Sequence, residues 1–106
     1  MYKIYVDASD RKNNIVRLIK IEVANQVIVA ELAGEIDIAE RIKNLLLTNN
    51  VDFSHITEFE SFPGPGSFTG LKKSFALTNV LNWALNKRID ITKVPLPEYG
   101  KEPNIG

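Results

Sequence analysis

At the start of the chain Tyr2, Ile4 and Val6 alternate with Lys3, Tyr5 and Asp7. This is the period-two pattern of a half-buried strand. After the turn-rich run ASDRKNN, the segment IVRLIKIEV (15–23) is dense in β-branched residues, and Asn25-Gln26 separates it from VIVAEL (27–32). Three such runs in succession predict an antiparallel meander. From about Glu35 the period changes: Ile38, Ile42, Leu45 and Leu46 recur at three and four with charged residues between them. That spacing predicts an amphipathic helix, which the pair Asn49-Asn50 ends. ITEFESF (56–62) predicts a short strand which, if regular, points Glu58 and Glu60 one way and Thr57, Phe59 and Ser61 the other. A helix from about Thr69 to Asn86 follows. RIDITK (88–93), where Ile89 and Ile91 alternate with Arg88, Asp90 and Thr92, predicts a fifth strand.

The order βββαβαβ, with each helix serving as a crossover, predicts an α/β domain built on a mixed five-stranded sheet. Strands buried on both faces are nearly all apolar, yet Lys3, Lys20, Glu22, Glu58, Glu60, Arg88 and Asp90 interrupt these. Both helices are therefore expected on one face of the sheet, with the other face largely wet. The domain is expected over 1–94, and the segment 95–106, rich in proline, reads as an extended tail.

Composition narrows the function classes. A chain of 106 residues builds a single core. Thirteen Lys plus Arg balance thirteen Asp plus Glu, so no overall field favours nucleic acid or an anionic membrane surface. With no cysteine and a single histidine, His55, the chain has no thiol nucleophile and no paired-histidine metal site. The first residues carry charge where a signal peptide needs an apolar core, and no run approaches the roughly twenty apolar residues of a membrane span. A cytoplasmic protein without metal, cofactor or membrane contact is expected.

Two stretches carry candidate function. In SFPGPGSFTG, Gly64 and Gly66 alternate with Pro63 and Pro65, Gly70 follows, and Ser67 or Thr69 is placed to cap the next helix. The residues fit a rigid strand-to-helix corner, the preferred reading, and also an anion cradle formed by Gly64, Gly66, Ser67, Thr69 and Gly70. The Gly-Lys-Ser/Thr ending of a nucleotide P-loop is missing. Asp7 reads either as a carboxylate at a strand end or as a turn former, and His55 as a surface or capping residue. In the helix, only Lys72 and Lys73 are charged between 71 and 85, while Leu71, Phe75, Leu77, Val80, Leu81, Trp83, Ala84 and Leu85 exceed one face. That excess predicts a protein interface, with Leu71, Phe75, Asn79, Asn82 and Trp83 as candidates beside Ile38, Ile42 and Leu45 of the first helix.

The octapeptide Gly64-Pro-Gly-Ser-Phe-Thr-Gly70-Leu71, following a strand and opening an apolar helix, resembles the TsaB (YeaZ) family of bacterial tRNA threonylcarbamoyladenosine biosynthesis. Val6-Asp7-Ala8-Ser9 is similar to the Ile-Asp-Thr-Ser-like end of that family's first strand, and the resemblance runs over residues 1–94. It implies one lobe of the actin/hexokinase/Hsp70-like (RNase H-like) fold, the second lobe being missing. It also implies a non-catalytic scaffold whose two helices meet a TsaD-like partner, or a second copy, with tRNA reached only indirectly. No glycine follows Asp7 as the phosphate loop of that fold group requires, so ATP hydrolysis is not expected. The alternatives are a self-associating homodimeric scaffold outside the tRNA pathway and a small anion-binding or hydrolytic module using the glycine loop.

Overall fold

A computed structural model describes residues 1–35 and 37–93, so the tail expected over 95–106 lies outside the described residues. The chain runs β1 (Tyr2–Asp7), β2 (Asn14–Ile21), β3 (Gln26–Gly34), α1 (Ile38–Thr48), a single 3-10 turn (Phe53–His55), β4 (Ile56–Ser61) and α2 (Phe68–Lys87). The strands form one mixed sheet in the order β3-β2-β1-β4. β1 is antiparallel to β2 and parallel to β4, and β2 is antiparallel to β3.

In β1 the alternating Ile4 and Val6 enter the core, while Lys3, expected on the wet face, is also buried at 8% exposure. Ile4 and Val6 are fully buried beside Leu18 and Val16 of β2. α1 starts where the Asp37 carboxylate accepts hydrogen bonds from the amides of Ala39 and Glu40, and stops where Asn49 donates from Nδ2 to the Leu45 carbonyl at 2.8 Å. Asn50 follows with φ 55°, a left-handed conformation that asparagine tolerates better than most residues.

Between its caps, α1 buries Ala39, Ile42, Leu45 and Leu46, and α2 buries Leu77, Leu81 and Ala84. All of them join one core with Ile4, Val6, Val16, Leu18 and Phe59, which places both helices against the same face of the sheet. The opposite face is ionic. Lys3 pairs with Glu60 at 3.4 Å, and Arg17 pairs with Glu31 while its guanidinium lies over the Tyr5 ring, 5.6 Å from the centroid. The part-exposed Arg17–Glu31 pair contributes about 0–1 kcal/mol, whereas the Lys3 side chain, 10% exposed, is largely withdrawn from water.

The strand β4 is not regular. Tyr2 stands opposite Ile56 but Lys3 opposite Glu58, so Thr57 is an extra residue. The irregularity lets Ile56 and Phe59, three residues apart, both enter the core at 4% and 3% exposure. Strict alternation would have left Ile56 among the glutamates.

The fifth strand does not form. α2 ends at Arg88 with φ 58°, and the Ile89 amide turns back to the Ala84 carbonyl at 2.9 Å. The Asp90 carboxylate then accepts from both the amide and the hydroxyl of Thr92, at 2.9 and 2.7 Å, folding 90–92 into a turn. Ile91 is nonetheless 1% exposed, so its apolar signal was a core signal met by a turn. The outer edge of β4, where a fifth strand would pair, is taken by side chains of α2. Asn82 both donates to and accepts from the backbone of Phe59, each at 2.8 Å, and Thr78 reaches Ser61. Among the described residues no helix is long and apolar enough to cross a membrane.

Candidate functional site

The glycine-rich stretch is clamped onto the end of β1. Phe62 donates its amide to the Val6 carbonyl and Ser67 donates to the Ser9 carbonyl, both at 2.7 Å. A Cβ at Gly66 would overlap Ser9, and one at Gly70 would overlap the carbonyl oxygen of Ala8. Gly64 has φ +109°, a conformation that residues with a side chain rarely adopt. Ser67 is the cap of α2, its hydroxyl accepting from the Gly70 amide at 3.3 Å, while Thr69 is exposed. Close backbone approach, which the glycines permit, is thus directed at the chain's own first strand. The amides of Ser67 and Gly70 are engaged within the corner.

The carboxylate of Asp7 accepts from the amide and the hydroxyl of Ser9 at 2.9 and 2.6 Å, which makes it a turn former at the β1 end. Burial raises the Tyr5 phenol above its ordinary value, with a further upward push from Asp7 and an opposing pull from Arg17. His55 is exposed in the turn before β4, whereas Ser67 lies beyond the other end of that strand. A strand of 6 residues spans about 20 Å, so β4 itself separates the serine from the histidine. Among the described residues no three His, Asp or Glu side chains cluster as metal donors.

On α2 the geometry separates two faces. Phe68, Phe75, Val80 and Trp83 are 78%, 41%, 36% and 56% exposed. At 100° per residue they fall with Lys72, Ala76 and Asn79 on one side of the helix, opposite the buried Leu77 and Leu81. Of the residues expected at an interface, Phe75, Asn79 and Trp83 lie on this outer face. Leu71 is half-buried, with its Cδ1 next to Gly64, and Asn82 is committed to the edge of β4. Ile42 and Leu45 are core residues at 0% and 3% exposure, and Ile38 packs against the same core; the exposed leucine of α1 is Leu47, at 61%. Phe68 is absent from the interface candidates expected from the sequence, and Val80 counts there in the apolar excess but not among those candidates. Phe68 falls one residue before the expected helix start, and Val80 becomes conspicuous only once the helix is projected from Trp83.

No protein-family model matches the chain, and no curated protein matches it. Among solved structures, YeaZ from Pseudomonas aeruginosa superposes with a TM-score of 0.64 at 19% identity, over 81% of this chain and 42% of that one. A crystal structure of an uncharacterized protein with similarity to peptidase YeaZ, from the same organism, gives 0.65 at 20% identity, over 80% and 39%. The chain therefore spans about two-fifths of the length of these neighbours. The likeness is one of fold alone, shared with part of each YeaZ-like structure.

Proposed function

We propose that the chain is a non-catalytic scaffold that binds a TsaD-like partner through the outer face of α2 and thereby supports threonylcarbamoylation of adenosine in tRNA. The carrying observation is the apolar stripe of Phe68, Phe75, Val80 and Trp83, which the sheet leaves uncovered. Aromatic side chains on a rigid helix lose little freedom on binding and bury much area, which makes them the usual anchors of an interface. The corner at Gly64–Gly70 supports the same reading, because it ties the start of α2 to Ala8 and Ser9 and so fixes the direction in which the stripe is presented. With no net charge, the chain brings no long-range attraction for tRNA, which is reached through the partner.

Co-expression with a TsaD-like protein tests the proposal. A stable heterocomplex that Trp83→Glu disrupts is expected; failure to copurify at micromolar concentration would overturn it. A homodimer that survives equimolar TsaD-like protein would instead support the self-associating scaffold.

A further inference from the structure

β3 forms the edge of the sheet opposite β4, and among the described residues no strand pairs with its outer side. Natural edges are guarded by shortness, by lysine or proline, by bulges, or by a covering element. β3 has 9 residues with no lysine and no proline, and it exposes Val27, Ile28 and Val29 at 43%, 56% and 44%. Its one guard is a bulge: Ile28 stands opposite Ile19 and Ala30 opposite Leu18, which leaves Val29 as the extra residue.

We propose that this edge pairs with β3 of a second copy of the chain, antiparallel and centred on Ile28, joining two sheets into one. An antiparallel pair is related by a two-fold axis, so the bulge at Val29 of each strand faces Val27 of the other and the two lie symmetrically about Ile28. That centre sets Val27 opposite Val29 and Gln26 opposite Ala30. Glu31 then falls opposite Asn25, where the β2–β3 turn begins, so no like charges meet. Glu31, the only charge in β3, is already held by Arg17 of its own sheet. The chain has zero formal net charge, so nothing repels a second copy at long range.

The surface is separate from the stripe on α2. α1 packs on β2 and β3, whereas α2 packs on β4 and β1. If both surfaces were two-fold self-contacts the assembly would grow beyond a dimer. With α2 occupied by a different protein, β3 pairing closes the assembly at two copies of each.

Sedimentation equilibrium of the full chain alone tests this. A monomer–dimer equilibrium is expected, weakened at least about tenfold by Ile28→Lys and by Val29→Lys and unchanged by Trp83→Glu. Amide exchange on the unmodified chain should slow in β3 as concentration rises. A monomer up to about 100 µM, exchange in β3 independent of concentration, or a dimer lost in Trp83→Glu but kept in Ile28→Lys would each overturn the inference. Because no TsaD-like protein is present, the outcome is independent of whether α2 binds one.

Discussion

A methyl group at Gly70 would overlap the carbonyl oxygen of Ala8, a backbone atom that cannot rotate out of the way. Gly70→Ala is therefore expected to cost about 2–4 kcal/mol, seen as a lower urea midpoint at unchanged slope. Ser67→Ala removes only a helix cap and should cost about 1 kcal/mol in the same assay. Asn82→Ala leaves the part-buried Phe59 amide without its partner and should cost about 1–3 kcal/mol. An asparagine within an apolar helix carries the same letter whether it faces a partner or a strand edge, so the role of Asn82 was not legible before the helix was placed over β4. Tyr5 gives the pH dependence. Its raised pKa means that the neutral phenol is favoured in the folded chain, so its contribution is fully present below about pH 10 and lost as pH rises through the folded value. Tyr5→Phe should flatten the alkaline limb of a stability–pH profile measured by urea unfolding; an unchanged limb would remove Tyr5 as the cause.

The elements divide according to how local their signals are. β1, the hairpin of β2 and β3, and α1 are readable because period and caps agree: Asp37 opens α1 and Asn49 closes it. The corner before α2 was readable as a corner because glycine and proline act locally. Two features were not local. Ile89 and Ile91 alternate like a strand, but the Asp90 turn and the return of Ile89 to α2 decide their conformation, and Asn82 with Thr78 already occupies the edge they would have joined. The apolar excess on α2 was visible as an amount, yet which residues look outward depends on where the sheet lies. Placing the sheet moves Asn82 inward and brings Phe68 and Val80 to the surface, just as it makes Ile42 and Leu45 core. The division is testable by stability: Leu81→Ala should cost about 2–5 kcal/mol, whereas Trp83→Glu should stay within about 0.5 kcal/mol of the parent in urea unfolding.

As a whole the molecule is a two-layer lobe whose sheet has helices on one face and charge on the other. Arg17, Glu31, Glu58 and Glu60 are what bring charge to that second face. The glycine corner and the hydrogen bonds of Asn82 fix α2 over β4, and the apolar stripe they present is exposed among the described residues. The proposed function therefore turns on what the outer face of α2 binds. Titration calorimetry of the parent chain and of Trp83→Glu against a purified TsaD-like protein tests it most directly. A micromolar or tighter complex is expected for the parent, and for the variant a loss of about 2 kcal/mol or more, roughly thirtyfold, with its thermal unfolding unchanged. No binding by the parent at about 100 µM, or equal binding by the two, would contradict it.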